Sequence, residues 1–165
     1  MSYIVEPLVG QDVATFECGH GELDNWLQKH AVGAVGQGTR TYLLMARKVV
    51  VGYFAIAPHY LARDDAPKRL GRGAPDRIPA ILLAKLALDR SRQGQGLGAE
   101  LLLAALGVIV GAARAAGGRV VVVDAIDDGA AAFYRHHDFT PLPGDPRRLV
   151  LKISSAAKAL GLPWP

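Results

Sequence analysis

Hydrophobic positions along this chain fall either in short continuous runs or at helical spacing, and the changes from one to the other mark its elements. Arg40–Ala46, RTYLLMA, and Val50–Ala57, VVGYFAIA, are short runs rich in aromatic and β-branched residues. With the tight Arg47-Lys48 link between them, they predict an antiparallel hairpin. Leu23, Trp26 and Leu27 fall at helical spacing and predict a short amphipathic helix over 21–31. The glycine-rich AVGAVGQG then reads as a connector, and Val5 to Phe16 as an edge strand and a turn. Ile81–Leu88 and the RVVVVDA run are continuously apolar, the pattern of strands buried on both faces. Gly98–Ala116 predicts a long helix stopped by Gly117-Gly118. Ala130–His137 predicts a third helix and Arg147–Ile153 a last strand. Residues 58–79 are mostly turn formers and charges, a long surface excursion carrying Arg63, Lys68, Arg69, Arg72 and Arg77. The predicted order is strand, helix, two strands, excursion, strand, helix, strand, helix, strand. It makes an α/β (α+β) fold with one parallel crossover, a domain over 1–153 and a C-terminal tail over 154–165 that docks or frays.

Composition narrows this picture. At 165 residues, half of them apolar and about a fifth charged, the chain has material for one substantial core. A net charge of +4 and an isoelectric point near 9.4 suit anionic partners such as nucleic acid or a polyphosphate cofactor. Cys18 is the only cysteine, which excludes an internal disulfide and a zinc-type spacing. No metal is expected. The opening MSYIVEPL has no basic segment followed by a long apolar run, so no secretory signal is expected. Leu101–Ala116 is interrupted by glycines and short for a membrane span. The expected setting is reducing and cytoplasmic, away from membranes.

Chemistry concentrates in Ser91–Ala99, SRQGQGLGA, where three glycines fall within five residues between a strand-like and a helix-like run. Glycine backbone at the start of a helix exposes N–H groups to the positive end of the dipole and cradles phosphate. No Lys-Ser/Thr pair follows, so this is not a Walker loop. Gly94, Gly96 and Ala99 formally satisfy a dinucleotide fingerprint, with Asp124 at the end of the next strand as a ribose-binding acid. Against that stand the five residues Asp89–Gln93 before the glycines, the antiparallel hairpin upstream and the shortness of the chain beyond the loop. A non-catalytic dinucleotide-binding module therefore stays open as an alternative, as does a plain helix-entry turn.

LALDRSRQGQGLGAELLLAAL followed by VVVDAIDDGAAAFYRHHDFTPLP resembles the GNAT acetyltransferase superfamily. The segment Arg92-Gln93-Gly94-Gln95-Gly96-Leu97 is similar to its acyl-CoA pyrophosphate loop. Phe133-Tyr134 with Phe139 beyond is similar to its second signature. VEPL…FECGHGELDNWLQKHA, VVGYFAIAP and AAAFYRHHDFTPLPGDPRRLVLKI extend the likeness over residues 4–153, toward the TacT-like GNAT toxins of bacterial toxin–antitoxin pairs. The resemblance implies a single-domain GNAT fold with a mixed, mostly antiparallel sheet. It implies acetyl-CoA as co-substrate, the α-amino group of aminoacyl-tRNA as acceptor and a block of translation. It further implies a ribbon-helix-helix antitoxin and a homodimer. The sequence departs from the pattern at Asp138, where a glycine is usual, and at Asp127, where many acetyltransferases carry Asn; adjacent His136 and His137 are also unusual.

On this likeness the cofactor contacts fall to the backbone of Leu86, Ala87 and Leu88 along the pantetheine arm. Arg92, Gln93, Gly94, Gln95, Gly96, Leu97 and Gly98 take the pyrophosphate, and Phe133 lies beside the site. A free α-amine has a pKa of about 8, lowered further by esterification, so a strong general base is not required. What helps is a proton donor for the departing thiolate, and the resemblance gives that part to Tyr134. Cys18 reads as a buried small residue rather than a nucleophile, and His136 and His137 as surface histidines rather than bases. Lys68, Arg69, Arg72 and Arg77, with Lys85 and Arg90 nearer the loop, are the candidates for tRNA phosphates, which supply affinity rather than sequence choice. A small amine or a protein N-terminus remains the alternative acceptor.

Overall fold

The apolar and β-branched runs become strands. In the computed structural model, which describes residues 2–165, the elements are β1 (Tyr3–Pro7), α1 (Gly21–Asn25), β2 (Arg40–Ala46), β3 (Val49–Ala62), α2 (Lys68–Gly71), β4 (Arg77–Leu88), α3 (Leu97–Ala116), β5 (Val120–Asp124), α4 (Asp128–His136), β6 (Thr140–Leu142), β7 (Asp145–Lys152) and α5 (Ile153–Leu160). Hydrogen bonding orders the strands β1-β2-β3-β4-β5-β7-β6. β4 and β5 run parallel, Ala80–Leu83 against Val120–Val123, whereas β1/β2, β2/β3, β5/β7 and β6/β7 are antiparallel. A sheet with that single parallel pair lacks the repeated crossovers of a dinucleotide-binding module, which removes that alternative.

Several boundaries move. β3 continues through Pro58, His59 and Tyr60 to Ala62, and β4 starts at Arg77, so the excursion shrinks and carries the short helix α2. The predicted helix over 21–31 is an α-helical turn that widens into a π-helical one over Trp26–His30. The glycine connector winds into a 3₁₀ turn over Gly33–Gln37. The C-terminal tail docks: α5 buries Ile153, Ala156 and Ala157, and Gly161 closes it at φ 66°. Pairing of Ala46 with Val49 leaves Arg47-Lys48 as the hairpin link, with Arg47 itself left-handed at φ 57°.

Two compact units divide the chain. The first, up to Ala57 together with Ala84–Ala105, has a core of Phe16, Leu23, Leu27, Leu43, Met45 and Tyr53. Tyr53 is fully buried, edge-on to Phe16 and stacked on Trp26, and its hydroxyl donates to the Leu23 carbonyl at 2.7 Å. The second unit, Pro58–Leu83 with Leu106–Pro165, is centred on Leu61, Ile78, Ala80, Val120, Val122 and Val150. α3 is long and apolar enough to cross a membrane by length and composition. Its Leu101, Leu102, Ala105, Ile109 and Val110 are buried in the fold, at the i, i+3, i+4 spacing of a core helix.

Candidate active site

The first unit carries the glycine loop. Asp89 follows β4 and caps a 3₁₀ turn over Arg90–Arg92, accepting from the Ser91 N–H and hydroxyl and from the Glu17 N–H. Burial opposes its charge, but these hydrogen bonds and nearby Arg92 outweigh that and hold the carboxyl below its ordinary range. The chain then turns through Gly94 at φ 75° and Gly96 at φ 77° into α3 at Leu97. A Cβ at either glycine would meet nothing within 4 Å. Left-handed backbone, not crowding, is therefore what requires glycine there. Arg92 is the second indication of an anion site, because its Nε is buried without a hydrogen-bond partner.

The Gln93 side chain has a bracing part. Its side-chain amide donates to the carbonyls of Cys18 at 2.7 Å and Leu88 at 2.8 Å, bracing the loop against β4 and the Cys18 turn. Gln95 donates to the Ser91 carbonyl within the loop. The β4–β5 ladder stops at Leu83 and Val123, so Leu86, Ala87 and Leu88 lie beyond its register. Cys18 is buried, and burial together with the Asp24 carboxylate pushes its thiol up to about 11, the opposite of an activated nucleophile.

The second unit carries the helix of the other signature. Asp127 caps α4 by accepting from the Ala130 N–H at 2.8 Å, a capping duty that explains a carboxylate at this position. Asp138 adopts φ 72°, the left-handed conformation usually left to glycine. The chain can then turn so that the Phe139 N–H donates to the Tyr134 carbonyl. Tyr134 is 6 % exposed, edge-on to Phe133 and Phe139. Burial raises its pKa, so the hydroxyl keeps its proton at every physiological pH. His136 and His137 meet edge to face at the end of α4, with His137 against Phe133.

The candidate tRNA contacts have different local partners. Lys85 Nζ lies over the Trp26 ring at 5.6 Å, and Arg77 over Tyr60 at the same distance. Arg90 pairs with Glu17 at 3.4 Å. Lys68, Arg69 and Arg72 lie on α2 and just after it, exposed.

Sequence reasoning missed one charged cluster. His59 on β3, Asp124 on β5 and Arg148 on β7 continue the sheet face of Leu61, Val122 and Val150. Arg148 Nη2 donates to His59 Nε2 in a short contact, and its Nε lies 3.4 Å from Asp124 without hydrogen-bond geometry. Alternation along the strands puts these side chains on one face, but no motif joins residues so far apart in sequence.

A family model for the acetyltransferase (GNAT) domain matches residues 37–141. A tRNA-acetylating toxin of Mycobacterium tuberculosis is 42% identical over 151 residues, covering 91% of each chain. Among solved structures, the toxin AtaT complexed with acetyl-methionyl-tRNAfMet superposes with a TM-score of 0.86 at 30% identity, over 96% of this chain and 99% of that one. A tyrosine-to-phenylalanine mutant of AtaT, bound to the C-terminus of the antitoxin AtaR and acetyl-CoA, gives 0.81 at 30% identity over 95% and 97%.

Proposed function

This chain belongs to the GNAT acetyltransferase family, and on that premise we propose that it is a toxin that acetylates the α-amino group of aminoacyl-tRNA and so blocks translation. The observation that carries this reading is the 42% identity to a tRNA-acetylating toxin through 91% of both chains. Acetyl-CoA supplies an activated thioester that a neutral amine attacks without a covalent enzyme intermediate. The backbone N–H groups around Gly94 and Gly96, with the Arg92 guanidinium, hold its diphosphate, and the Leu86–Leu88 backbone pairs with the pantetheine arm. As the new C–N bond forms, the C–S bond breaks; the sulfur gains a proton and the amine loses one. Tyr134 is the donor toward that sulfur, a role fitted by a hydroxyl that burial keeps protonated.

The test is purified protein, bulk aminoacyl-tRNA and acetyl-CoA labelled in its acetyl group. Label should enter the tRNA and leave on mild alkaline deacylation as an N-acetylamino acid. Label on a small amine or a protein N-terminus, with none on tRNA, transfers the reading to that acceptor. The same reading makes the partner a ribbon-helix-helix antitoxin, the setting the cytoplasm and the active form a homodimer. Light scattering should then give twice the 17.5 kDa chain mass.

A further inference from the structure

Two adjoining hollows in the second unit, of about 260 and about 320 Å³, share Leu70 and Lys152 in their walls. Arg69 of α2, Arg119 just before β5 and Lys152 at the end of β7 line them, and Trp164 lines the smaller one. All three cations are exposed, and among the described residues none has a carboxylate within 4.0 Å. Arg63, Arg90, Arg147 and Arg148, by contrast, are each paired with an acidic side chain. Asp138 is the single carboxylate in the lining of either hollow, and Tyr134 lines neither.

We infer that this groove is a nucleic-acid surface separate from the catalytic tyrosine. It takes the sugar-phosphate backbone of the tRNA substrate, with Trp164 as a platform for an unpaired base. Three unneutralised cations beside apolar side chains and an aromatic ring is the combination that binds single-stranded nucleic acid. The charges track phosphates and the ring stacks a base whatever its identity. Lys68 and Arg72, exposed on and just after α2, add to the same field. An acidic peptide would satisfy the cations but leave the indole without a flat partner, which favours RNA. The inference rests on aminoacyl-tRNA being the acceptor and adds where its backbone is held. Arg119, Lys152 and Trp164 are residues that no motif marks.

The full chain carrying Arg69→Glu, Arg119→Glu and Lys152→Glu, and a milder set with Gln at the same positions, are compared with wild type in acetyl transfer across a range of salt. The Glu set should raise KM for aminoacyl-tRNA roughly tenfold or more and flatten its log–log salt slope by about 2, since each lost phosphate contact removes somewhat less than one unit. The Gln set should move both in the same direction, by less. In both sets kcat and the KM for acetyl-CoA should stay within about twofold of wild type, which also certifies the fold. Trp164→Ala should raise KM for tRNA roughly fivefold or more with the salt slope unchanged, and Trp164→Phe should restore it. Wild-type KM and slope in both charge sets overturn the groove. If those sets instead lose only neutralisation by the antitoxin, the groove is a site for an acidic peptide and the RNA assignment is wrong. A wild-type protein that labels no aminoacyl-tRNA at all defeats the acceptor reading itself, and the groove falls with it.

Discussion

Tyr134 and Cys18 are both buried ionisable groups, and burial acts on them in the same direction with opposite consequences for chemistry. For Tyr134 a raised pKa preserves a donor, so Tyr134→Phe should lower kcat by about 10²-fold or more with little change in KM for acetyl-CoA. The rate should climb with pH as the acceptor amine deprotonates and then stay level, because Tyr134 does not titrate in that range. The phenylalanine variant should lower the plateau and leave the climb in place; a shifted climb would mean Tyr134 controls the amine instead. For Cys18 the thiol pushed up to about 11 is unreactive, so the native chain at neutral pH should resist alkylation that the unfolded chain accepts within minutes. Gln93 holds the glycine loop to two carbonyls. Gln93→Ala should therefore raise KM for acetyl-CoA several-fold while leaving kcat at saturation near wild type.

Among the elements, α4 and α5 depend on different kinds of residue. α4 is short and is fixed at its ends, by the Asp127 cap and the left-handed Asp138. Asp127→Ala should cost about 1 kcal/mol in denaturant unfolding, the usual value of an N-cap. The sequence places the helix at Ala130–His137 and marks Asp127 and Asp138 only as departures from a pattern; the capping carboxylate and the left-handed turn emerge from the backbone at each end. α5 was read only as a tail. SSAAKALG carries small residues rather than large apolar ones, so its pattern gives little sign of burial. Yet Ala156 and Ala157 are almost fully enclosed because small side chains permit close approach. Their enclosure predicts that Ala157→Asp destabilises the fold by several kcal/mol, an uncompensated buried charge in place of a methyl group. α2 and the extension of β3 were hidden for the opposite reason. Pro58, His59 and the charges after Ala62 look like loop, and only pairing with neighbouring strands holds the first of them extended.

At the scale of the molecule, pH stability follows from groups whose environment differs most from water. Burial and the Arg148 guanidinium, against the weaker pull of Asp124, lower the pKa of His59 from its ordinary 6.5. The unfolded chain therefore binds this proton more tightly than the folded one. The corresponding stability is present above pH 6.5 and falls as the pH drops below it. His59→Gln should flatten that slope in chemical unfolding between neutral and mildly acidic pH. The alkaline side runs the other way. Cys18, Tyr53 and Tyr134 have raised pKa values, so their contribution is complete below their ordinary values and is lost as pH climbs past about 9. The hairpin, the long helix and the glycine turn were determined by the sequence itself, because apolar runs, helical spacing and glycine's left-handed backbone are properties of neighbouring residues. The bracing of the loop by Gln93 through a carbonyl 75 residues away, the Arg148–His59 contact across 89 residues and the gathering of Arg69, Arg119, Lys152 and Trp164 into one groove were decided only by tertiary structure. Each joins side chains whose spacing in sequence has no period, and packing alone brings them within reach.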